Sequence, residues 1–129
     1  MMNCLFIDDD IDDQDIFSFA LKELNKDVHL ITAENGIKAL EILKSDPAYI
    51  PDCIFLDLNM PMMGGKECLS LIRKLPWLKE VPIIIYTTST QESDRLETQR
   101  LGATDFMSKE SSLDLLKKAL LQVFHRHKI

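Results

Sequence analysis

Residues that could do chemistry stand where apolar runs of the sequence end. Asp8 and Asp9 follow the first run, Asp57 follows a central one, and Thr87 and Lys109 close two later ones. If these runs are parallel strands joined by helices, their carboxyl ends meet at one edge of a sheet, where ligands of such sheets bind. We therefore expect the five side chains to be neighbours.

Three carboxylates this close would repel one another, so the arrangement requires a cation. An all-oxygen ligand set with room for water suits Mg²⁺. A metal ion, a lysine and a hydroxyl around one carboxylate are the groups needed to form an aspartyl phosphate, because phosphoryl transfer depends on positioning and on cations at the equatorial oxygens. In this hypothesis Asp57 is the nucleophile, and Lys109 and Thr87 contact the phosphoryl oxygens. A general base is not required, because a carboxylate is already ionised at neutral pH.

The stretch from Cys53 to Gly65 would deliver Asp57 to this edge. Residues 53–56 are apolar at every position, which is typical of a strand covered on both faces. Pro61 then biases the residue before it away from a helix, and Gly64 and Gly65 permit a sharp turn before the next helix begins.

Similar patterns predict the rest of the fold. Apolar runs at 4–7, 28–32, 83–86 and 106–108 predict four more strands, with 28–32 at the edge, and helical spacing of apolar residues follows each strand. The segment 91–100 is almost wholly polar, so its helix should be the least stable. Strands that alternate with helices predict an α/β fold, a doubly wound sheet of five parallel strands with right-handed crossovers.

Composition limits the possible functions. With 129 residues, the chain should form a single domain, residues 1–129, without an effector domain. A net charge of −6 and a pI near 5.0 argue against direct binding of nucleic acid or of an anionic membrane. The three cysteines lack metal-type spacing and suggest buried thiols in a reducing compartment. Without a signal peptide or a membrane span at the N-terminus, we predict a cytoplasmic protein.

The sequence resembles the receiver domain of two-component response regulators, of the stand-alone, chemotaxis-regulator-like kind, over nearly its whole length. The motifs that carry the resemblance are Asp8-Asp9, Asp57 with Met60-Pro61 and Gly65 behind it, Thr87, Gly102-Ala103 and Lys109. The Thr87-Thr88-Ser89 run is similar to that of stand-alone regulators grouped with bacterial phytochrome partners. The resemblance implies a flavodoxin-like (βα)5 fold with strand order 2-1-3-4-5.

The resemblance also implies roles for individual residues. Asp57 would be the phosphoacceptor, with Thr87 and Lys109 contacting the phosphate. Asp8, Asp9, Asp57 and the backbone carbonyl of Asn59 would hold Mg²⁺. Thr87 and Phe106 would form the switch that reports phosphorylation. The protein would then be a signalling domain, and its only reactions would be its own phosphorylation and dephosphorylation.

The implied partners are other proteins. The phosphodonor would be a sensor histidine kinase or a histidine phosphotransfer protein, and the signal would pass to an unknown downstream protein. The output surface would comprise the 91–100 helix, the Phe106 strand and the last helix. Partly exposed Leu115 and Leu121 on that last helix make a homodimer through this face possible.

Two positions depart from the family pattern. Glu110 follows Lys109 where the family usually has a proline, often behind a cis bond, and a cis bond before a non-proline residue costs roughly 3 kcal/mol. Phe106 lacks the hydroxyl of the tyrosine that many family members carry at the switch position.

Other interpretations remain open for single residues. Asp8 or Asp9 could cap the first helix, and Thr87 could cap the helix that follows it. We interpret Asp10, Asp12 and Asp13 as acids that complement the start of the first helix. The basic residues from His125 to Lys128 would complement the dipole at the end of the last helix and extend into solvent.

Three other functions share part of the pattern. An aspartate-nucleophile phosphatase would need a second acid where Asn59 stands, because an amide cannot protonate a leaving group. A flavodoxin-like electron carrier would need a phosphate loop after the first strand, where Asp8–Asp10 would repel the FMN phosphate. A pseudo-receiver that signals without phosphate is disfavoured, because every residue needed for phosphorylation is present.

Overall fold

The chain forms one five-stranded parallel sheet in the computed structural model, which describes residues 1–24 and 27–129. Its strands are β1 (Met2–Ile7), β2 (Val28–Ala33), β3 (Cys53–Leu56), β4 (Ile83–Thr87) and β5 (Asp105–Ser108). The strand order is β2-β1-β3-β4-β5, which confirms the predicted doubly wound α/β fold with β2 at an edge.

Five α-helices connect and cover the strands. They are α1 (Ile11–Glu23), α2 (Gly36–Ser45), α3 (Gly65–Arg73), α4 (Glu92–Arg100) and α5 (Leu113–His127), and a single turn of 3₁₀ helix follows α3 at Pro76–Leu78. The prolines act as the sequence predicts, because α2 ends two residues before Pro47 and α3 ends before Pro76. Within the described residues, no helix is both long and apolar enough to cross a membrane.

Apolar side chains bury both faces of the sheet. Alternate strand residues such as Leu56 and Ile85 pack with α2 and α3, and their neighbours such as Phe55 and Tyr86 pack with α1 and α5. This arrangement confirms the interpretation of the continuous apolar runs as strands covered on both sides. All three cysteines are buried, as predicted.

The predictions for the starts of α1 and α4 have different outcomes. Asp10 caps α1, accepting hydrogen bonds from the backbone N–H groups of Asp12 and Asp13. The interpretation of Thr87 as a cap of α4 is wrong, because α4 begins after Gln91 and receives no side-chain capping bond. Most of α4 is exposed, and Thr98 is its one buried residue.

The end of α5 also differs from the prediction. Arg126 and His127 do not simply extend into solvent, because both contact the carboxylate of Asp105 at the start of β5. Their hydrogen bonds to this carboxylate outweigh the effect of its burial, so the pKa of Asp105 is lowered. The end of α5 therefore contacts the amino-terminal end of β5, at the end of the sheet opposite the acidic residues.

Candidate functional site

The acidic residues of β1 and β3 meet at the carboxyl end of the sheet. The N–H of Asp8 donates to Ala33 O at 3.0 Å and that of Asp57 donates to Ile7 O at 2.9 Å, so the strand pairing extends to both residues. One carboxylate oxygen from each of Asp8, Asp9 and Asp57 lies within 4.8 Å of the other two. The predicted cluster of three acids is thus present in the folded chain.

Burial makes two of these acids costly to ionise. Asp8 is fully buried and Asp57 is 5% exposed, whereas Asp9 is exposed. Burial raises the pKa of Asp57 to about 6, with nearby Asp8 and Asp9 adding to the rise and Lys109 opposing it. Burial likewise raises the pKa of Asp8. The site therefore holds more negative charge than its own lysine balances.

Lys109 reaches the cluster from the loop after β5. Its backbone N–H donates to Thr87 O at 2.8 Å. Its Nζ lies 2.8 Å from Asp8 Oδ2 and 3.6 Å from Asp57 Oδ2, as the sequence predicts for a lysine opposite Asp57. Burial alone would lower the pKa of Lys109, but the carboxylates of Asp13 and Asp8 outweigh it and raise that pKa.

The residues of the predicted switch occupy the neighbouring strands. Thr87 ends β4, is fully buried, and accepts a hydrogen bond from the N–H of Ser89 at 3.3 Å through Oγ1. Phe106 lies on β5, half buried, and the guanidinium carbon of Arg95 is 6.0 Å from its ring centroid. Asn59 is exposed in the loop after β3, and its N–H donates to Asp57 Oδ1 at 3.4 Å.

One site residue escaped the sequence prediction. Asp13, interpreted as an acid that complements the start of α1, forms an ion pair with Lys109 at 2.7 Å. A signal for it was present, because a helix that starts beside Asp8 and Asp9 holds its first-turn side chains close to the same edge of the sheet. Helix geometry alone does not show which of the first-turn acids turns toward the site.

The cluster fits a hard divalent cation. Asp8 Oδ2 is buried and accepts no hydrogen bond of good geometry from the described residues, although Lys109 Nζ is close to it. A buried carboxylate oxygen without a donor is unfavourable unless a cation compensates it. The available metal ligands are all carboxylate oxygens, which suit Mg²⁺ and Mn²⁺ better than softer metals.

The loop between Asp57 and α3 packs very closely. The N–H of Gly65 donates to Leu58 O at 3.0 Å, and a Cβ on Gly65 would lie only 2.3 Å from Asp57 O. Glycine at this position therefore allows α3 to start against the backbone of the candidate phosphoacceptor. The described peptide bonds are all trans, which includes the Lys109–Glu110 bond.

Comparison with known proteins agrees with this geometry. The sequence model of the family described as the response regulator receiver domain matches residues 4–121 of this chain. The chain belongs to this family. Its strand order and the cluster at the strand ends are those that the resemblance in the sequence implied.

Relatives and solved structures extend the comparison. Response regulator Rcp1 of Synechocystis sp. is 32% identical over 118 residues, which cover 88% of this chain and 80% of that protein. The sensor histidine kinase CheAY of Helicobacter pylori is 36% identical over 112 residues, 87% of this chain but only 14% of the kinase. The crystal structure of the Mn²⁺-bound form of Rcp1 superposes with a TM-score of 0.83 at 29% identity, covering 96% of this chain and 92% of Rcp1.

A further solved structure is that of the phosphorylated cyanobacterial phytochrome response regulator RcpA. It superposes with a TM-score of 0.86 at 26% identity, covering 96% of this chain and 91% of RcpA. This fold is therefore shared with a regulator whose structure was solved in the phosphorylated form.

Proposed function

We propose that this receiver domain is a signalling switch that accepts a phosphoryl group on Asp57 in a Mg²⁺-dependent reaction. The observation that carries the proposal is the buried Asp57 carboxylate, grouped with Asp8 and Asp9 and lying 3.6 Å from the ammonium of Lys109. A buried carboxylate beside a cation site and a lysine has the groups that aspartyl phosphate formation requires. With a pKa of about 6, Asp57 is mostly ionised at neutral pH and can act as the nucleophile.

The proposed metal ligands are the carboxylates of Asp8, Asp9 and Asp57 and the backbone carbonyl of Asn59. When bound, Mg²⁺ supplies positive charge that offsets the repulsion among these acids and draws in the phosphoryl oxygens. The existence of an Mn²⁺-bound form of Rcp1 supports the binding of a divalent ion by this fold. Asp8 Oδ2, which is buried and lies 2.8 Å from the Lys109 ammonium without a hydrogen bond of good geometry, is an oxygen in this chain that such an ion could bind.

Two further side chains would contact the phosphoryl group. Lys109 Nζ lies 3.6 Å from Asp57 Oδ2, close enough to contact an oxygen of a phosphoryl group carried on that carboxylate. Thr87 closes the adjacent strand with a buried hydroxyl whose only observed partner in the described chain is the N–H of Ser89, at a long 3.3 Å. Exchange of that weak bond for one to the phosphoryl group would pull on the loop between β4 and α4.

The proposed donor is a phosphohistidine on a sensor histidine kinase or a histidine phosphotransfer protein. A groove beside the site is lined by Ile16 and Phe19 of α1 and by Leu113 of α5, and it includes the loop that follows Lys109. Ile16 and Phe19 are 48% and 51% exposed. An apolar surface next to the loop that follows Lys109 would let a helical donor domain dock with its phosphohistidine near Asp57.

The proposed output surface is formed by α4, β5 and α5. It contains the half-buried Phe106, and Leu115 and Leu121 are 47% and 46% exposed. Phosphorylation would change the binding of a downstream protein there, and a homodimer through the same face is the alternative readout. We further infer that residues 1–129 act as a single cytoplasmic receiver domain, without a reaction on a separate substrate and without direct contact with nucleic acid or membrane.

Mass spectrometry after incubation with acetyl phosphate tests the central proposal. We expect one phosphoryl group per chain in the presence of Mg²⁺, none after chelation by EDTA, and none in Asp57→Asn, because an amide does not attack phosphorus. Asp46→Asn, which removes an exposed acid far from the cluster, should be labelled like the wild type. Equal labelling of Asp57→Asn and Asp46→Asn would contradict the assignment of Asp57.

A further inference from the structure

Lys109 has a stronger partner than either acid predicted for the site. Its Nζ lies 2.7 Å from Asp13 Oδ2, 2.8 Å from Asp8 Oδ2 and 3.6 Å from Asp57 Oδ2. Among these three contacts, the one to Asp13 has good hydrogen-bond geometry, whereas Asp8 Oδ2 accepts no such bond. Asp13 is therefore the residue that fixes where the ammonium points.

The side chain of Asp13 does not take part in capping α1. Asp10 caps the helix, and Asp13 is the third residue after it, where an acid commonly bonds back to the N–H of the cap. Here the N–H of Asp10 donates to Asp8 instead, and the Asp13 carboxylate reaches a lysine 96 positions away in the chain. This carboxylate is 27% exposed, and its partner Lys109 only 12%.

The second ion pair of Lys109 is shared with the proposed metal site. Asp8 is a proposed Mg²⁺ ligand, so a bound divalent cation would compete with Lys109 for Asp8 Oδ2. Asp13 lies outside the group of three acids that could hold a cation. Its bond to Lys109 would remain when the metal is bound.

Lys109 has a donor available on the side that faces Asp57. An ammonium has three N–H donors, and Asp13 uses one of them. The 3.6 Å distance from Nζ to Asp57 Oδ2 is too long for a hydrogen bond, so the donor on that side is available. The ring of Tyr86, with its centroid 5.6 Å from Nζ, flanks the ammonium as well.

We propose that Asp13 is a positioning residue, which anchors the Lys109 ammonium so that a free N–H faces the phosphoryl group on Asp57. This inference rests on the proposed function, because it assumes that Asp57 is the phosphoacceptor. It adds a residue on α1 to the site, and it predicts that the anchor matters most when both Mg²⁺ and a phosphoryl group are bound.

The test compares the affinity for beryllofluoride, an acyl-phosphate mimic, at saturating Mg²⁺. ¹⁹F NMR of the full chain would measure it for the wild type, Asp13→Asn, Asp13→Glu and Asp12→Asn. We expect Asp13→Asn to bind roughly tenfold more weakly, because a charge-assisted hydrogen bond to the ammonium is lost. Asp13→Glu keeps the charge and should recover part of the affinity. Asp12→Asn is the matched control, since Asp12 is the adjacent exposed acid and its loss changes the net charge equally.

A second measurement separates positioning from general damage to the site. The affinity for Mg²⁺ alone should stay within about threefold of the wild type in Asp13→Asn, because the three acids of the cluster are unchanged. Equal beryllofluoride affinity in Asp13→Asn and Asp12→Asn would overturn the inference, as would tighter binding, which would mean that Asp13 competes with the phosphoryl group for Lys109. If the wild type itself did not bind beryllofluoride with Mg²⁺, the proposed function would fail as well, so the two failures are distinguishable.

Discussion

Helices α3 and α4 are each nine residues long, follow adjacent strands of the sheet, and are held in place by different forces. Helix α3 buries Cys68, Leu69 and Ile72 completely. Helix α4 buries a single residue, Thr98, and its largest apolar side chain, Leu96, is 51% exposed. One helix is therefore part of the core, and the other lies against the surface of the domain.

Polar contacts take the place of apolar burial around α4. Lys66 of α3 forms ion pairs with Asp94 at 2.7 Å and Glu97 at 3.2 Å, and the hydroxyl of Ser89 donates to Asp94. Partly exposed ion pairs contribute little net stability and exchange readily for water. We therefore expect α4 to move at lower cost than α3, whose movement would open the core.

The two helices are also connected to the site differently. Helix α3 begins at Gly65, whose backbone packs directly against the carbonyl of Asp57. Helix α4 is connected to Thr87 through hydrogen bonds of Ser89, which reach both Thr87 Oγ1 and Asp94. The proposed phosphoacceptor is thus joined to the well-buried helix α3, and the residue proposed to sense phosphate is joined to the more exposed helix α4.

Truncation of one apolar side chain in each helix should give the largest difference. Ile72→Ala in α3 should lower the free energy of unfolding by about 2–5 kcal/mol, because removal of this fully buried side chain leaves a cavity in the core. Leu96→Ala in α4 should change it by less than about 0.5 kcal/mol, since the side chain is mostly in water. Urea unfolding of both variants measures the difference, and similar losses would contradict the distinction between the helices.

Adjacent glycines allow a sharper test of how α3 is joined to the site. Gly65→Ala should cost about 1–3 kcal/mol and reduce labelling of Asp57 by acetyl phosphate, because the added Cβ forces the Asp57 backbone to move. Gly64→Ala is the control, since its Cβ would lie 3.9 Å from the nearest atom. Thermal melts and mass spectrometry report the two effects, and normal labelling of a folded Gly65→Ala would show that α3 does not position Asp57.

Asp57, which precedes α3, should make the free energy of unfolding depend on pH, whereas Thr87, which precedes α4, should not. The pKa of Asp57 is about 6 in the folded chain and 3.8 ordinarily, so the folded state binds more protons between these values and stability falls as pH rises through them. Without Mg²⁺, Asp57→Asn should therefore be more stable than the wild type at neutral pH, by on the order of 2 kcal/mol. The gain should shrink toward pH 4.

The control for this prediction is a variant of Thr87, the last residue of the strand before α4. Thr87→Ser removes no charge, so the pH dependence of its unfolding free energy should follow that of the wild type. Urea unfolding at several pH values, with and without millimolar Mg²⁺, measures both variants. A wild type that gains no stability from Mg²⁺ would argue against a metal site at Asp8, Asp9 and Asp57.

Much of this contrast could be predicted from the sequence. Continuous apolar runs identified the strands, and the polar composition of residues 91–100 identified α4 as the helix with little to bury. The grouping of Asp8, Asp9, Asp57 and Lys109 followed from topology alone, because parallel strands bring their carboxyl ends together.

The remaining features depend on side-chain directions that a linear pattern does not contain. Asp12 and Asp13 are equivalent acids in the sequence, and only the packing of α1 decides that Asp13 meets Lys109. The basic residues at the end of α5 suit both solvent and an ion pair, and the position of Asp105 on β5 decides between them. Ile16 recurs with Phe17, Ala20 and Leu21 at helical spacing, yet it is 48% exposed whereas these three neighbours are buried.

Removal of the polar link between the helices should have a small but localised effect. Lys66→Met eliminates the ion pairs to Asp94 and Glu97, so amide hydrogen exchange should become faster within α4 and stay unchanged in α3. Lys74→Met, at an exposed lysine just after α3, is the control and should leave α4 as it is. Faster exchange throughout both helices would instead indicate that Lys66 supports the whole domain.

The smallest expected effect is a change of protection in the output surface when the phosphoryl mimic binds. If Thr87 turns toward beryllofluoride, its bond to the N–H of Ser89 is lost, and the hydroxyl of Ser89 no longer holds Asp94 in the same place. Amide exchange should then change first in α4, whose polar contacts rearrange at low cost, and also in β5 around Phe106 and along α5, which complete the proposed output surface. Helix α2, on the opposite side of the molecule, serves as the internal control. Changes confined to residues 41–48 would show that the signal leaves around the end of α2 instead.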